Sequence, residues 1–156
     1  MEVSEEKIKL VNFDKDNIEH VLFLKNLIND ETIKSRFQGL LPNLMKNSKE
    51  IFNKGFFLSF KNELVGYIDF SSFNTEEAVY FRGAISQEHR GKKLGKKMLK
   101  DISNYTFENY PYVKFIKLKI EKDNISSIKV ALSNGFYNID KDYYVLENPN
   151  YKIKTL

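Results

Sequence analysis

The chain has 156 residues, with 25 Lys+Arg against 21 Asp+Glu, two His and no Cys, a length that suits one domain (1–156) with one substantial core. An apolar fraction of 42% with 13 Phe and 9 Tyr excludes a disordered chain, and the lack of cysteine excludes disulfides, thiolate metal sites and a cysteine nucleophile together. No apolar run reaches the ~18 residues of a membrane span, and the acidic start Met1-Glu2-Val3-Ser4-Glu5-Glu6 lacks the order of a secretion signal, so a soluble cytoplasmic protein is expected.

Residues 7–13 read as a first strand. Asp16 or Asn17 can cap a helix carrying Ile18, Val21, Leu22, Leu24, Leu27 and Ile28, with His20 on its surface. A second helix is expected over 31–37, ahead of Gly39 and Pro42, and a third short one within 43–54. Residues 56–60 and 64–73 form a hairpin around Lys61-Asn62-Glu63, and the polar residues 74–77 turn into a strand at 78–85. A long helix follows, with Leu94, Met98, Ile102 and Tyr105 on one apolar stripe, ending at Pro111. A strand at 113–120, a helix at 126–133 with Ile128, Ala131 and Leu132 inward, and a hairpin at 137–146 complete the chain. Asn134-Gly135 suits the C-terminal cap of that last helix, because glycine adopts the left-handed conformation freely. Leaving aside the short third helix, the order β-α-α-β-β-β-α-β-α-β-β predicts a mixed α/β fold with helices flanking a central sheet.

The charge is concentrated. Residues 90–100 hold six basic side chains and no acid; without them 19 basic and 21 acidic residues remain, a net of −2. The strand at 78–85, the loop from Ser86 to Gly91 and the helix after it form a strand–loop–helix unit with Gly91 and Gly95 at the turn. A helix start offers unpaired N–H groups and the positive end of the dipole, so an anion, a phosphate above all, fits there. It is not a P-loop. Three residues rather than four separate the glycines, and Lys96-Lys97-Met98 follows where a Lys-Ser or Lys-Thr would be needed.

The segment Ile85-Ser86-Gln87-Glu88-His89-Arg90-Gly91-Lys92-Lys93-Leu94-Gly95 resembles the acetyl-CoA loop of the GNAT family of N-acetyltransferases, Arg/Gln-x-x-Gly-x-Gly/Ala. Lys93 stands where the first motif glycine is usual. Downstream, the run from Asn124 through Ser127 to Gly135-Phe136 resembles the family's Asn-x-x-Ser/Ala…Gly-Phe helix, in a form similar to the branch that acetylates ribosomal-protein N-termini and its small-molecule relatives. The likeness covers roughly residues 56–146. It implies a mixed, mostly antiparallel, splayed sheet with flanking helices, with acetyl-CoA as co-substrate and no metal. It further implies an amine acceptor, either a small molecule or a protein or peptide N-terminus, and is compatible with a homodimer.

By that resemblance, a deprotonated amine attacks the thioester directly and no acyl-enzyme forms. The strand end Ala84-Ile85-Ser86 splays from its neighbour to pair with the pantetheine arm, and an N–H near Ile85 faces the thioester oxygen. Arg90, Gly91, Lys92, Lys93, Leu94, Gly95 and Lys96 hold the pyrophosphate, while Asn124 and Ser127 contact the pantetheine side. The family's acidic tyrosine falls on Ala131, leaving Ser127 as the nearest replacement, and its early-strand glutamate falls on Tyr80, with Glu76 and Glu77 just outside. Arg36, Phe37, Tyr143 and Tyr144 fall in regions that line the acceptor site in relatives. Asp69 faces either the acceptor amine or solvent, and His89 is expected at the loop's solvent-facing rim. A lysine-like amine of pKa ~10.4 costs ~4.6 kcal/mol to deprotonate at pH 7, against ~1–1.4 kcal/mol for an α-amine near 7.7–8.0, so a chain without a clear base suits an α-amine better. Two alternatives stand beside this reading. One is a CoA-binding protein of weak activity; the other is a nucleic-acid-binding domain using residues 90–100, which the confinement of the basic block and its lack of interleaved aromatics argue against.

Overall fold

The computed structural model describes residues 6–36, 41–46, 53–73 and 75–152. They form β1 (Lys9–Val11), α1 (Ile18–Asn29), α2 (Glu31–Arg36), α3 (Leu41–Leu44), β2 (Lys54–Phe60), β3 (Glu63–Phe73) and β4 (Thr75–Ile85). A 3-10 turn (Gln87–His89), α4 (Leu94–Asn109), β5 (Phe115–Lys119), α5 (Ile125–Ser133), β6 (Tyr137–Asp140) and β7 (Tyr143–Glu147) follow. The third short helix lies at Leu41–Leu44 rather than within 43–54, of which residues 47–52 are outside the described set, as is Phe37. Residues 75–77, expected in a turn, already belong to β4.

Local chemistry explains most boundaries. The Asn17 side chain accepts from the N–H groups of Glu19 (2.9 Å) and His20 (3.4 Å), capping α1. Lys61 (φ 52°) and Asn62 (φ 63°) are both left-handed, as a two-residue type I′ hairpin requires. Gly135, at φ 88°, ends α5 as expected.

The strands make one seven-stranded sheet in the order β1-β2-β3-β4-β5-β7-β6. Only the β4–β5 pair is parallel, with α4 in its crossover; all other neighbours are antiparallel. Each face carries its own core. Ile68, Phe70, Val79, Phe81, Ile116 and Leu118 pack with Leu94, Leu99 and Ile102 of α4 and Ala131 of α5. On the other face, Phe57 and Tyr67 pack with Leu27, Ile33 and Leu44 from α1, α2 and α3. Burying each such side chain contributes roughly 1.5–3 kcal/mol. The rings of Phe13, Phe23 and His20 meet Phe57 edge-on at 5.8, 5.2 and 5.4 Å, so His20 is half-buried packing material and not a surface residue.

Two expected inward residues point out: Tyr105 and Leu132 are exposed. The buried face of α4 instead takes in Asp101, Ser103 and Thr106 beside Leu99 and Ile102. Asp101 earns its place by accepting the Ile8 N–H (3.0 Å) and pairing with Lys97 (3.2 Å), which pins the entry to β1 onto α4.

Candidate functional site

β4 and β5 pair only through Ala78–Phe115, Val79–Ile116 and Tyr80–Lys117. Beyond Tyr80, β5 stays with β7 as far as Lys119, whereas β4 runs on to Ile85 with β3 alone. From Phe81 to Ile85 one edge of β4 therefore has no strand beside it among the described residues, and such an edge can accept an extended ligand by strand addition. Because β4 and β5 are parallel, their C-terminal ends lie at the same end of the sheet. The connections leaving those ends lead into α4, after residues 86–93, and α5, after residues 120–124, so both helices begin on the side of the sheet where the gap opens.

The loop between β4 and α4 turns through two left-handed residues, Gly91 (φ 84°) and Lys93 (φ 60°). A lysine in this conformation costs roughly 1 kcal/mol, and it sits at the position where the motif usually has glycine. Lys93 is the N-cap of α4 and offers no side-chain cap. The N–H groups of Leu94, Gly95 and Lys96 make no bond within the helix, because the first such bond runs from the Lys97 N–H to the Lys93 carbonyl at 3.4 Å. Space above them is open: a Cβ on Gly95 would meet nothing within 4 Å. Gly95 also lacks a positive φ, so nothing inside the described protein requires glycine there. That is the signature of a surface kept bare for something else.

The basic side chains divide. Lys92, Lys93, Lys96 and Lys100 are exposed around the helix start. Lys97 is taken by Asp101 and lies over the Phe60 ring at 5.7 Å. Arg90 departs from the expectation that its charge faces the anion: its guanidinium reaches Asp30 at 3.1 Å and the Ile85 carbonyl at 3.0 Å. Leu94 and Ile85 send their side chains into the α4-side core, and Ala84 packs on the opposite cluster, so their contribution to the gap is backbone. Ser86 is buried, its N–H donating to the Val65 carbonyl (2.8 Å) and its hydroxyl bonded to His89 Nδ1 (2.7 Å). His89 is accordingly not at the solvent rim. It is buried, and its Nε2 meets Glu63 Oε1 at 3.1 Å, bracing the turn that delivers the loop.

Asn124 caps α5, its Oδ1 accepting the Ser127 N–H and the Ser126 hydroxyl, both at 3.4 Å. Ser127 is half-buried at the mouth of the gap. Ala131 is fully enclosed in the core. At the closed end of the gap stands Tyr80, the last residue of β4 paired with β5, with the Tyr143 ring 6.3 Å away and a hydrogen bond between the two side chains. Burial, then the neighbouring Tyr143, pushes the Tyr80 hydroxyl above the usual phenol range, which keeps its proton in place at neutral pH. Tyr144, in contrast, points into the core. The side chains of Arg36, Glu76 and Glu77 lie outside the described set.

Asp69 is 3% exposed and faces neither solvent nor an open site. Its Oδ2 takes the Asn43 amide at 2.6 Å and stands 3.6 Å from Arg82, directly opposite on β4, while Oδ1 has no hydrogen-bond partner among the described residues. Burial raises its pKa above 3.8 against the opposing pull of Asn43 and Arg82. A raised folded value means that the folded state holds the proton more tightly than the unfolded one. The buried charge therefore costs stability at neutral pH, and the cost fades as pH falls through the raised pKa toward 3.8. Asp69→Asn is expected to raise the urea midpoint at pH 7, with the advantage shrinking toward pH 4. A midpoint below that of the parent at pH 7 would show the Arg82 contact outweighing burial.

No group of three or more His, Asp or Glu among the described residues is arranged to hold a metal ion, and none of the described helices is long and apolar enough to cross a membrane. A family model described as "Acetyltransferase (GNAT) family" matches residues 22–136. Among solved structures, the chain is similar to the N-acetyltransferase PseH of Campylobacter jejuni in complex with acetyl coenzyme A, at 26% identity, 90% of this chain, 98% of that one and a TM-score of 0.64. The aminoglycoside acetyltransferase AAC(6')-Ib with coenzyme A shares the fold at 16% identity, 92% and 95% coverage and a TM-score of 0.68. The ribosomal-protein-S5-alanine acetyltransferase of Vibrio fischeri is alike over 63% of each chain, at 17% identity and a TM-score of 0.53. No curated protein sequence matches.

Proposed function

The chain belongs to the GNAT acetyltransferase family, and from that premise we propose that it is a one-domain, cytoplasmic enzyme that moves the acetyl group of acetyl-CoA onto a primary amine by direct attack. The observation that carries the reading is the parting of β4 from β5 after Tyr80, with the free N–H groups of Leu94, Gly95 and Lys96 at its mouth. The gap suits a pantetheine arm laid along residues 81–85. The bare helix start with Lys92, Lys93 and Lys96 suits the phosphates, and Asn124 and Ser127, at the start of α5, would meet the arm.

In the reaction, the neutral amine forms a bond to the thioester carbon and a backbone N–H of the free β4 edge stabilises the oxyanion. The C–S bond then breaks, and the thiolate takes a proton. Tyr80 is the first candidate to supply it, supported by its position where β4 parts from β5 and by the neighbouring Tyr143 hydroxyl; Ser127 is the other candidate donor. The amine's surplus proton passes to water. The acceptor class ranges from small amines to peptide N-termini, and the ribosomal-protein likeness of the Asn124–Phe136 motif favours an α-amine.

Thiol release from acetyl-CoA across a panel of amines, N-terminal peptides and aminoglycosides tests the activity, and a chain without cysteine adds no thiol background. Tyr80→Phe is expected to lower kcat by about a hundredfold, within the range of general acid catalysis, with acetyl-CoA affinity unchanged. An unaltered kcat would remove Tyr80 from the chemistry and leave Ser127 as the donor to test. Acetyl-CoA binding without turnover of any acceptor would mark a binding protein instead.

A further inference from the structure

We infer that Arg90 is a tie between the cofactor loop and the elbow joining α1 to α2, with Asp30 as its anchor, and that the two residues act on acetyl-CoA affinity as one unit. The inference rests on reading residues 90–96 as the pyrophosphate loop. Charge and position alone would assign Arg90 to the phosphates, since it opens the basic run. Its hydrogen bonds assign it elsewhere. Nε donates to the Ile85 carbonyl at 3.0 Å and a terminal nitrogen donates to Asp30 Oδ2 at 3.1 Å, while its own N–H closes the turn onto the Gln87 carbonyl at 3.3 Å.

Asp30 is equally committed. Its N–H ends α1 on the Leu27 carbonyl (3.2 Å), its Oδ1 accepts the Thr32 N–H (3.0 Å), and its carbonyl accepts the Lys34 N–H (3.0 Å), which opens α2. One carboxylate oxygen thus shapes the elbow and the other holds the loop. The two halves border a shared cleft of about 500 Å³, with Asn26, Asn29 and Asp30 on the helix side and Ser86, Gln87 and Glu88 on the loop side. Asp30 lines this cleft, and its partner Arg90 follows two residues after the lining residue Glu88. A planar guanidinium can reach a carbonyl and a carboxylate at once, whereas an ammonium offers a single point of charge.

The two roles for Arg90 predict opposite signs. If Arg90 bound phosphate, Asp30 would compete for it, and neutralising Asp30 would tighten acetyl-CoA. If Arg90 is a tie, neutralising Asp30 frees the loop and weakens binding. Asp30→Asn is the informative change, because an asparagine oxygen still caps the Thr32 N–H while the oxygen that accepts from Arg90 becomes an uncharged NH2, which cannot accept. Calorimetric titration with acetyl-CoA is expected to show Kd raised about tenfold by Asp30→Asn, by Arg90→Gln and by Arg90→Lys. The Asp30→Asn/Arg90→Gln double variant should stay near the same tenfold rather than multiply. Tighter or unaltered binding by Asp30→Asn, or a double variant weaker by the product, overturns the tie. The loop reading fails separately. It falls if the parent chain does not bind acetyl-CoA, or if Gly95→Trp leaves binding intact, and the tie then falls with it.

Discussion

Gly95→Trp is expected to abolish acetyl-CoA binding, raising Kd by at least about a thousandfold, while the protein remains folded. Three N–H groups at the start of α4 have no partner among the described residues, and hydrogen bonds to a charged phosphate are worth roughly 1.5–3 kcal/mol each. Losing all three exceeds the ~4.1 kcal/mol of a thousandfold change. A side chain at residue 95 projects into open space, with nothing within 4 Å of its Cβ, so an indole there covers the helix start without disturbing the core. Gly95→Ala separates the two effects by sign. Alanine is the better helix former by up to roughly 0.5–1 kcal/mol, so it should stabilise the unliganded protein while weakening the ligand. Calorimetry for binding and thermal unfolding for stability read both. A Gly95→Trp protein that still binds acetyl-CoA would exclude the start of α4 as the phosphate site.

The second large effect falls on stability. Gly66 lies opposite Ile85 in the β3–β4 ladder, and a Cβ there would overlap the Ala84 carbonyl oxygen and come within 3.1 Å of the Ile85 Cα. These are backbone atoms and cannot swing aside. Gly66→Val therefore has to push β4 away from β3 where Ser86 also bonds to Val65 at 2.8 Å. Overpacking costs typically ~1–3 kcal/mol and a broken buried hydrogen bond ~1–3 kcal/mol more, so a loss of roughly 3–5 kcal/mol is expected in urea denaturation. That is a large part of the ~5–15 kcal/mol available to a domain. Acetyl-CoA affinity should fall with it, since the free edge of β4 is displaced. An unchanged urea midpoint would mean that the strands at this point are far more yielding than their spacing indicates.

These effects trace back to two kinds of information in the chain. The strand–loop–helix unit was legible because its signals are local: Gly91 and Gly95, the run of lysines, and the apolar stripe behind them all lie within one stretch of sequence. The caps at Asn17 and Gly135 were legible for the same reason. Tyr105 and Leu132 were misplaced because helical spacing defines a stripe but not its exact angle to the sheet. The buried face of α4 is rotated enough to take in Asp101 and Thr106. Asp101 carried no warning, being one acid beside a basic block, and its purpose appears only when Ile8 arrives 93 positions away. His89 gave no sign of burial, because its partner Glu63 is 26 residues distant.

By itself, then, the sequence determined most of the order of elements, the basic loop and helix start at 90–96 and the likeness to the GNAT family that they carry. Only the tertiary structure decided which of the six charges of residues 90–100 are free. It turned Arg90 onto Asp30 and Lys97 onto Asp101, leaving Lys92, Lys93, Lys96 and Lys100 around the helix start. The reason is physical. A helix start and its glycines are set by neighbours a few residues away, whereas an ion pair forms where packing brings distant segments within a few ångströms. The net charge of +4 could locate the patch but could not apportion it.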